Sequence, residues 1–213
     1  MREIHYHRIG VLQYTQHWFG IREAERKTME TLRWTVDDLE LLPDDGSKYE
    51  IIDGELYVAK QPHMHHQIVC GRVFALLDQW SNQTQIGIAI FEPGIIFTND
   101  NAVVPDVVWI SHERYAIALQ ADGKFHSSPE LAVEVLSPGL ENERRDRELK
   151  LRLYSRRNVK EYWVVNWQGR SLEVYRRENA VLTLDKTLDE NDVLETPLLP
   201  GFRCKVSQLF KNL

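Results

Sequence analysis

Cysteine is almost missing from this chain. Cys70 and Cys204 are the only two in 213 residues, they stand far apart, and no Cys-x-x-Cys spacing occurs. That excludes a disulfide scaffold and a cysteine-based zinc site, and suits two small buried residues in a reducing compartment. Long apolar runs are missing too; none approaches the roughly 18 residues of a membrane-spanning helix. Positive charge is in deficit, with 26 Lys plus Arg against 32 Asp plus Glu and a net charge of −6. A histone-like protein is thereby excluded, and any nucleic-acid contact must come from a local basic surface. There is no internal repeat, no low-complexity tract, and no basic-then-apolar leader, so the expectation is a cytoplasmic protein without a membrane partner.

What is present is ordinary for a globular core: 43% apolar residues, 27% charged, and 10% aromatic with six Trp. The length suits one domain with an extension. Residues 1–28 lack a sustained apolar period and read as a poorly ordered extension, leaving 29–213 as a single domain.

From Thr35 the patterns sharpen. Thr35-Val-Asp-Asp38 looks like a capped helix start, continued by Leu39 and Leu42 and closed by Pro43. Tyr49–Val58 reads as two strands joined by Asp53-Gly54, a strong hairpin signal. A helix is expected from His63 to Ser81, with Ile68, Val69, Val73, Phe74, Leu76, Leu77 and Trp80 on a broad buried face. Strands follow at 86–91, 95–98 and 107–110, while 115–129 has no clear pattern. Leu131-Ala-Val-Glu-Val-Leu136 is apolar at five of six positions on both faces, so it belongs inside a covered sheet. A helix over 142–157 and strands at 162–166 and 172–175 complete a layered α/β domain with a mixed sheet.

Glu134 is the anomaly in that interior strand. A buried carboxylate costs several kcal/mol unless it is compensated. Two solutions stay open, a structural cationic partner or a metal, and for an isolated buried acid the first is the commoner. Asp106 adds a second acid at the head of Val107-Val108-Trp109-Ile110. If those strands are neighbours, both carboxylates converge on one hard cation such as Mg²⁺. On the following helix Asp146, Lys150 and Tyr154 are spaced i, i+4, i+8 and share one face. Lys150 there could orient or deprotonate a water, or simply pair with Asp146 on an exposed helix.

These residues resemble the PD-(D/E)XK, restriction-endonuclease-like superfamily of metal-dependent phosphodiesterases. Leu136 stands where that superfamily usually has its lysine. The Uma-two family is similar to this chain over 35–210. The matching segments include Tyr49-Glu-Ile-Ile-Asp-Gly-Glu-Leu56, His66-Gln67, Val104-Pro-Asp-Val-Val108, Pro129–Pro138, Arg145-Asp146, Lys150–Tyr154, Val159–Val165 and Pro197–Gly201. In that family the lysine lies on the helix, as Lys150 does, and Asn166 replaces a frequent Asp. The resemblance implies an αβββαβ core with a mixed central sheet, flanking helices and added hairpins. It also implies Mg²⁺- (or Mn²⁺-) dependent hydrolysis of DNA, with Asp106 and Glu134 as metal ligands and Lys150 orienting water or stabilising charge. Glu50 would be a supporting acid, although its spacing equally suits an outward hairpin residue.

Eight basic residues against two acids between Arg144 and Lys160 form either a phosphate-binding band or a solvated helix face. Arg145 and Arg147 in that band, Tyr154, and His66 at a helix start are the candidate substrate-binding residues. His63, His65 and His66 lack the spacing of a zinc site. A duplex substrate with two strands makes a homodimer the expected assembly. A catalytically silent binding module, or a hydrolase for another phosphodiester, is the alternative.

Overall fold

Two short stretches, 107–110 and 131–135, are apolar at odd and even positions alike, which only a strand covered on both faces tolerates. Both become central strands in the computed structural model, which describes residues 32–213; Trp34–Leu213 forms one compact unit. The extension expected over residues 1–28 lies outside the described residues.

The chain runs α1 (Val36–Leu39), β1 (Lys48–Ile52), β2 (Glu55–Ala59), α2 (Met64–Thr84), β3 (Gly87–Phe91), β4 (Ile95–Thr98), β5 (Asn101–Val103) and β6 (Val107–Ser111). It continues through α3 (His112–Ala118), β7 (Leu131–Val135), α4 (Leu140–Arg144), a π-helical turn (Arg145–Lys150) and α5 (Leu151–Arg156). Then come β8 (Glu161–Asn166), β9 (Ser171–Glu178), β10 (Val181–Asp189), β11 (Val193–Glu195) and β12 (Arg203–Lys205).

The main sheet has six strands in the order β10-β9-β8-β7-β6-β3, with β7 and β8 parallel and the other pairs antiparallel. The series α2, β3, β6, β7, α4–α5, β8 is the expected αβββαβ core. Strands β4 and β5 leave it to join the β1–β2 hairpin in a second sheet, ordered β2-β1-β5-β4.

Alternation along the central strands feeds two cores. Val107, Trp109, Leu131, Val133 and Val135 pack on the α2 side with Val69, Val73, Leu77 and Trp80. Val108, Ile110, Ala132 and Val164 pack on the other side with Leu153 and Tyr154 of α5 and Ile52 and Val103 of the second sheet. Glu134 follows Ala132 in this alternation and so shares the second face.

Asp53 and Gly54 both take positive φ, +53° and +78°, the geometry of a two-residue hairpin turn. Helix α2 carries His66, Val69, Cys70, Val73, Leu77 and Trp80 inward at helical spacing. Ile68 was expected on that face but falls beside the stripe and is exposed. Helix α1 is a single turn, with Asp38 accepting from the Thr35 N–H and hydroxyl, and it stops short of Leu42. Gly87 is required: a Cβ there would lie 2.4 Å from the Trp109 ring. No described helix is long and apolar enough to cross a membrane.

Candidate active site

Strands β6 and β7 pair with Val107 opposite Val133 and Val108 opposite Ala132. Continuing that register by one residue puts Asp106 across from Glu134. The Val135 N–H donates to Asp106 Oδ2 at 2.8 Å, so the peptide after Glu134 is tied to the other acid. The two acids do come from neighbouring interior strands, and both line a cavity of about 400 Å³.

Lys150 closes the cavity from the helix side. Its Nζ lies 2.9 Å from Glu134 Oε1, 2.9 Å from Glu50 Oε1 and 3.9 Å from Asp146 Oδ1, and only 1% of the side chain is exposed. The π-helical turn carries Arg145, Asp146 and Lys150 together; such turns widen a helix by one residue and often mark functional sites. Glu50 reaches in from β1, buried rather than outward, and also accepts from the Val104 N–H at 2.7 Å. The Tyr154 hydroxyl donates to Glu134 Oε1 at 2.9 Å. Both hydrogen bonds to Glu134 therefore fall on Oε1, and Oε2 has no partner among the described residues.

Three further residues were not singled out from the sequence. The Lys48 Nζ lies 2.9 Å from Glu92 Oε1 and 3.2 Å from Asp106 Oδ1, and donates to the Val104 carbonyl at 3.4 Å. Glu92 is held by its own N–H, which donates to the Asp106 carbonyl at 3.0 Å. Cys70 lies one helical turn after His66, Sγ to Nδ1 3.4 Å, while His66 Nε2 faces Asp106 Oδ2 at 3.3 Å. Since the carboxylate only accepts, Nε2 carries the proton toward Asp106 and Nδ1 accepts from the thiol. His66, Cys70 and Asp106 cluster closely enough to suggest a metal. However, the thiol and the carboxylate address opposite ring nitrogens, so this imidazole bridges them instead of chelating with them. Burial pushes the Cys70 thiol up, as does the Asp106 charge, and both disfavour a thiolate there.

Electrostatics sets the character of the site. Among the described residues, Glu50, Glu92, Asp106, Glu134 and Asp146 meet three permanent cations, Lys48, Arg145 and Lys150. Burial raises Glu134 to about 8; Lys150 pulls against it, but the charges of Asp106, Asp146 and Glu50 add to the rise. Burial also acts on Asp106, but His66 and Lys48 overcome it and hold that carboxyl well below its usual range. Glu50 stays low for the same kind of reason, with Lys150, Arg145 and the Val104 N–H outweighing burial. Lys150 is itself raised, since Glu134, Glu50 and Asp146 exceed its desolvation, so its proton is firmly held.

Not every sequence candidate reaches the cavity. Arg145 lines it, with Nε 3.0 Å from Asp146 Oδ1 and 3.9 Å from Glu50 Oε2. Arg147 does not; its guanidinium pairs with Glu143 and, at 2.7 Å, with Glu173. Tyr154 is fully buried behind Glu134 and supports that carboxylate instead of facing the cavity. The basic band is largely neutralised in place, Arg144 and Arg152 on Glu148 and Arg156 on Asp53. His63 and His65 turn away from His66 and pack on Trp167, ring centroids 5.0 and 5.1 Å away.

The family described as "Uma2: Putative restriction endonuclease" matches residues 36–207. Among solved structures, the chain is similar to "a putative nuclease belonging to DUF820 from Anabaena variabilis ATCC 29413", with 17% identity and a TM-score of 0.67. The match covers 83% of this chain and 97% of that one, and it establishes a shared restriction-endonuclease-like fold. No curated protein matches the chain.

Proposed function

The chain belongs to the Uma2 family, and from that membership we propose that the carboxylate cavity hydrolyses phosphodiester bonds of DNA with a bound divalent cation. The observation that carries this reading is the charge deficit beside a free oxygen. Among the described residues, five carboxylates share three permanent cations, and Glu134 Oε2 has no hydrogen-bond partner. Hard oxygen donors in excess over the cations that face them fit Mg²⁺ or Mn²⁺ better than a softer metal.

Asp106 and Glu134 would hold the ion. Bound there, it would polarise a phosphate oxygen and acidify a water. Lys150, clamped between Glu50 and Glu134 with a strengthened hold on its proton, acts as a positive hydrogen-bond donor and not as a base. It orients water or steadies charge that grows on the phosphate. Arg145 lines the cavity and offsets part of the Glu50–Asp146 charge, which eases the approach of an anion. Tyr154 fixes the Glu134 rotamer from behind. A duplex substrate would engage two copies of the chain, one per strand.

The test is cleavage of linear and supercoiled duplex DNA with Mg²⁺, with Mn²⁺ and with EDTA, alongside single-stranded DNA and RNA. Cation-dependent nicking that disappears in Asp106→Asn and Glu134→Gln is expected. Cleavage that persists in both variants overturns the assignment.

A further inference from the structure

We infer that Lys48 is an exchangeable counter-ion, seated beside Asp106 when no divalent cation is bound, displaced when one binds, and then free to meet the substrate phosphate. This rests on the cavity being a divalent-cation site. The three oxygens around its ammonium are the argument: Glu92 Oε1 at 2.9 Å, Asp106 Oδ1 at 3.2 Å and the Val104 carbonyl at 3.4 Å. Two carboxylates and a main-chain carbonyl make the hard oxygen set that a divalent cation favours.

The two lysines of the cavity differ in how they are held. Lys150 is 1% exposed and locked between two buried acids, whereas Lys48 is 25% exposed and its partner Glu92 33%. Lys48 can therefore swing outward on its four-carbon stem without opening the core. Charge gives it a reason to do so. An ammonium and a dication sharing Asp106 would repel strongly at contact distance in a partly buried site. Once displaced, Lys48 stays tethered by β1 at the cavity wall, where a phosphate is the natural partner for a compact, mobile positive charge.

Two affinities should move in opposite directions in Lys48→Met. By calorimetric titration, Mn²⁺ should bind the variant on the order of tenfold more tightly than the wild type, as expected for removing a competing ligand. A short duplex, titrated with Ca²⁺ in place of Mg²⁺, should bind the variant more weakly. Equal or weaker Mn²⁺ binding in the variant overturns the inference and leaves Lys48 as a brace for Asp106. A wild type that binds no Mn²⁺ removes the cavity reading as well, which separates the two failures. A second measurement needs no variant: acetic anhydride labelling of wild-type Lys48, read by mass spectrometry, should rise when Mg²⁺ is added while Lys150 stays unlabelled. Unchanged or reduced Lys48 labelling overturns the exchange.

Discussion

The Val135 N–H donates to Asp106 Oδ2 at 2.8 Å, so the main chain that carries Glu134 is fastened to the second acid of the site. Asp106 is thus both a candidate cation ligand and a structural acceptor, and it also takes His66 and Lys48. Among the described residues, Glu134 accepts only from side chains, Lys150 and the Tyr154 hydroxyl. Its removal leaves Lys150 still paired with Glu50.

This asymmetry makes the two acids separable by mutation. Asp106→Ala strands a buried N–H and two side-chain donors, and should cost about 2–3 kcal/mol in urea unfolding. Asp106→Asn keeps one acceptor and should cost less. Glu134→Gln should leave the cation-free protein about as stable as the wild type, since the amide keeps an oxygen acceptor for Lys150 and Tyr154 and stands in for a largely protonated acid. All three should lose cleavage. Equal destabilisation by Asp106→Ala and Glu134→Gln would contradict the division of roles.

The pH dependence follows from the same residue. With Glu134 raised from 4.5 to about 8, the folded protein binds a proton that the unfolded chain has released. In EDTA, stability attributable to this group should therefore fall as pH rises between about 4.5 and 8. Asp106, held low, acts oppositely, and its stabilisation is lost only as pH falls through and below its ordinary carboxylate range. Thermal unfolding across that range should show a slope in the wild type that flattens in Glu134→Gln. An unchanged slope would place the excess proton elsewhere.

How much of this was legible in the sequence depends on which neighbours a residue needed. Glu134 stood out because its own strand is apolar on both faces, and Asp106 because it opens a second such strand. The hairpin at Asp53-Gly54 and the helix from Met64 carry local signals, so both appear where expected. Lys48 and Glu92 gave none. Lys48 lies 58 residues from Asp106 in the chain, and its place beside that acid arises only when β1 of the second sheet meets the head of β6. The His66–Cys70 spacing of four residues is a readable helical pair, obscured in the sequence by the neighbouring His63 and His65. Strands β10 to β12 and helix α3 were missed because their faces are mixed and held by tertiary contacts. The basic band misled in the opposite way: its charges are real, but nearby carboxylates from Glu143, Glu148, Glu173 and Asp53 take most of them up.

Cation binding should appear as stability before any activity is measured. A ligand that binds only the folded state adds about 2.7 kcal/mol at a concentration 100 times its dissociation constant. Mg²⁺ should raise the unfolding midpoint of the wild type, and the rise should vanish in Glu134→Gln at matched ionic strength. A midpoint shift equally large in Glu134→Gln would mean that general screening, not this site, causes it.

Lys150 offers the sharpest separation of support from chemistry. Lys150→Met leaves Glu50 and Glu134 facing each other with no charge between them, and breaking a buried pair in this way costs about 3–5 kcal/mol. Adding Glu50→Gln removes one of the stranded charges, so the double variant should regain a good part of that loss in urea unfolding. If Lys150 served only to neutralise its neighbours, cleavage would return along with stability. On the present reading it supplies a positive donor at the reacting centre, which methionine cannot replace. The double variant should therefore fold, keep measurable Mn²⁺ binding through Asp106 and Glu134, and still fail to cut duplex DNA. Recovery of cleavage in that variant would move Lys150 from the reaction to the scaffold.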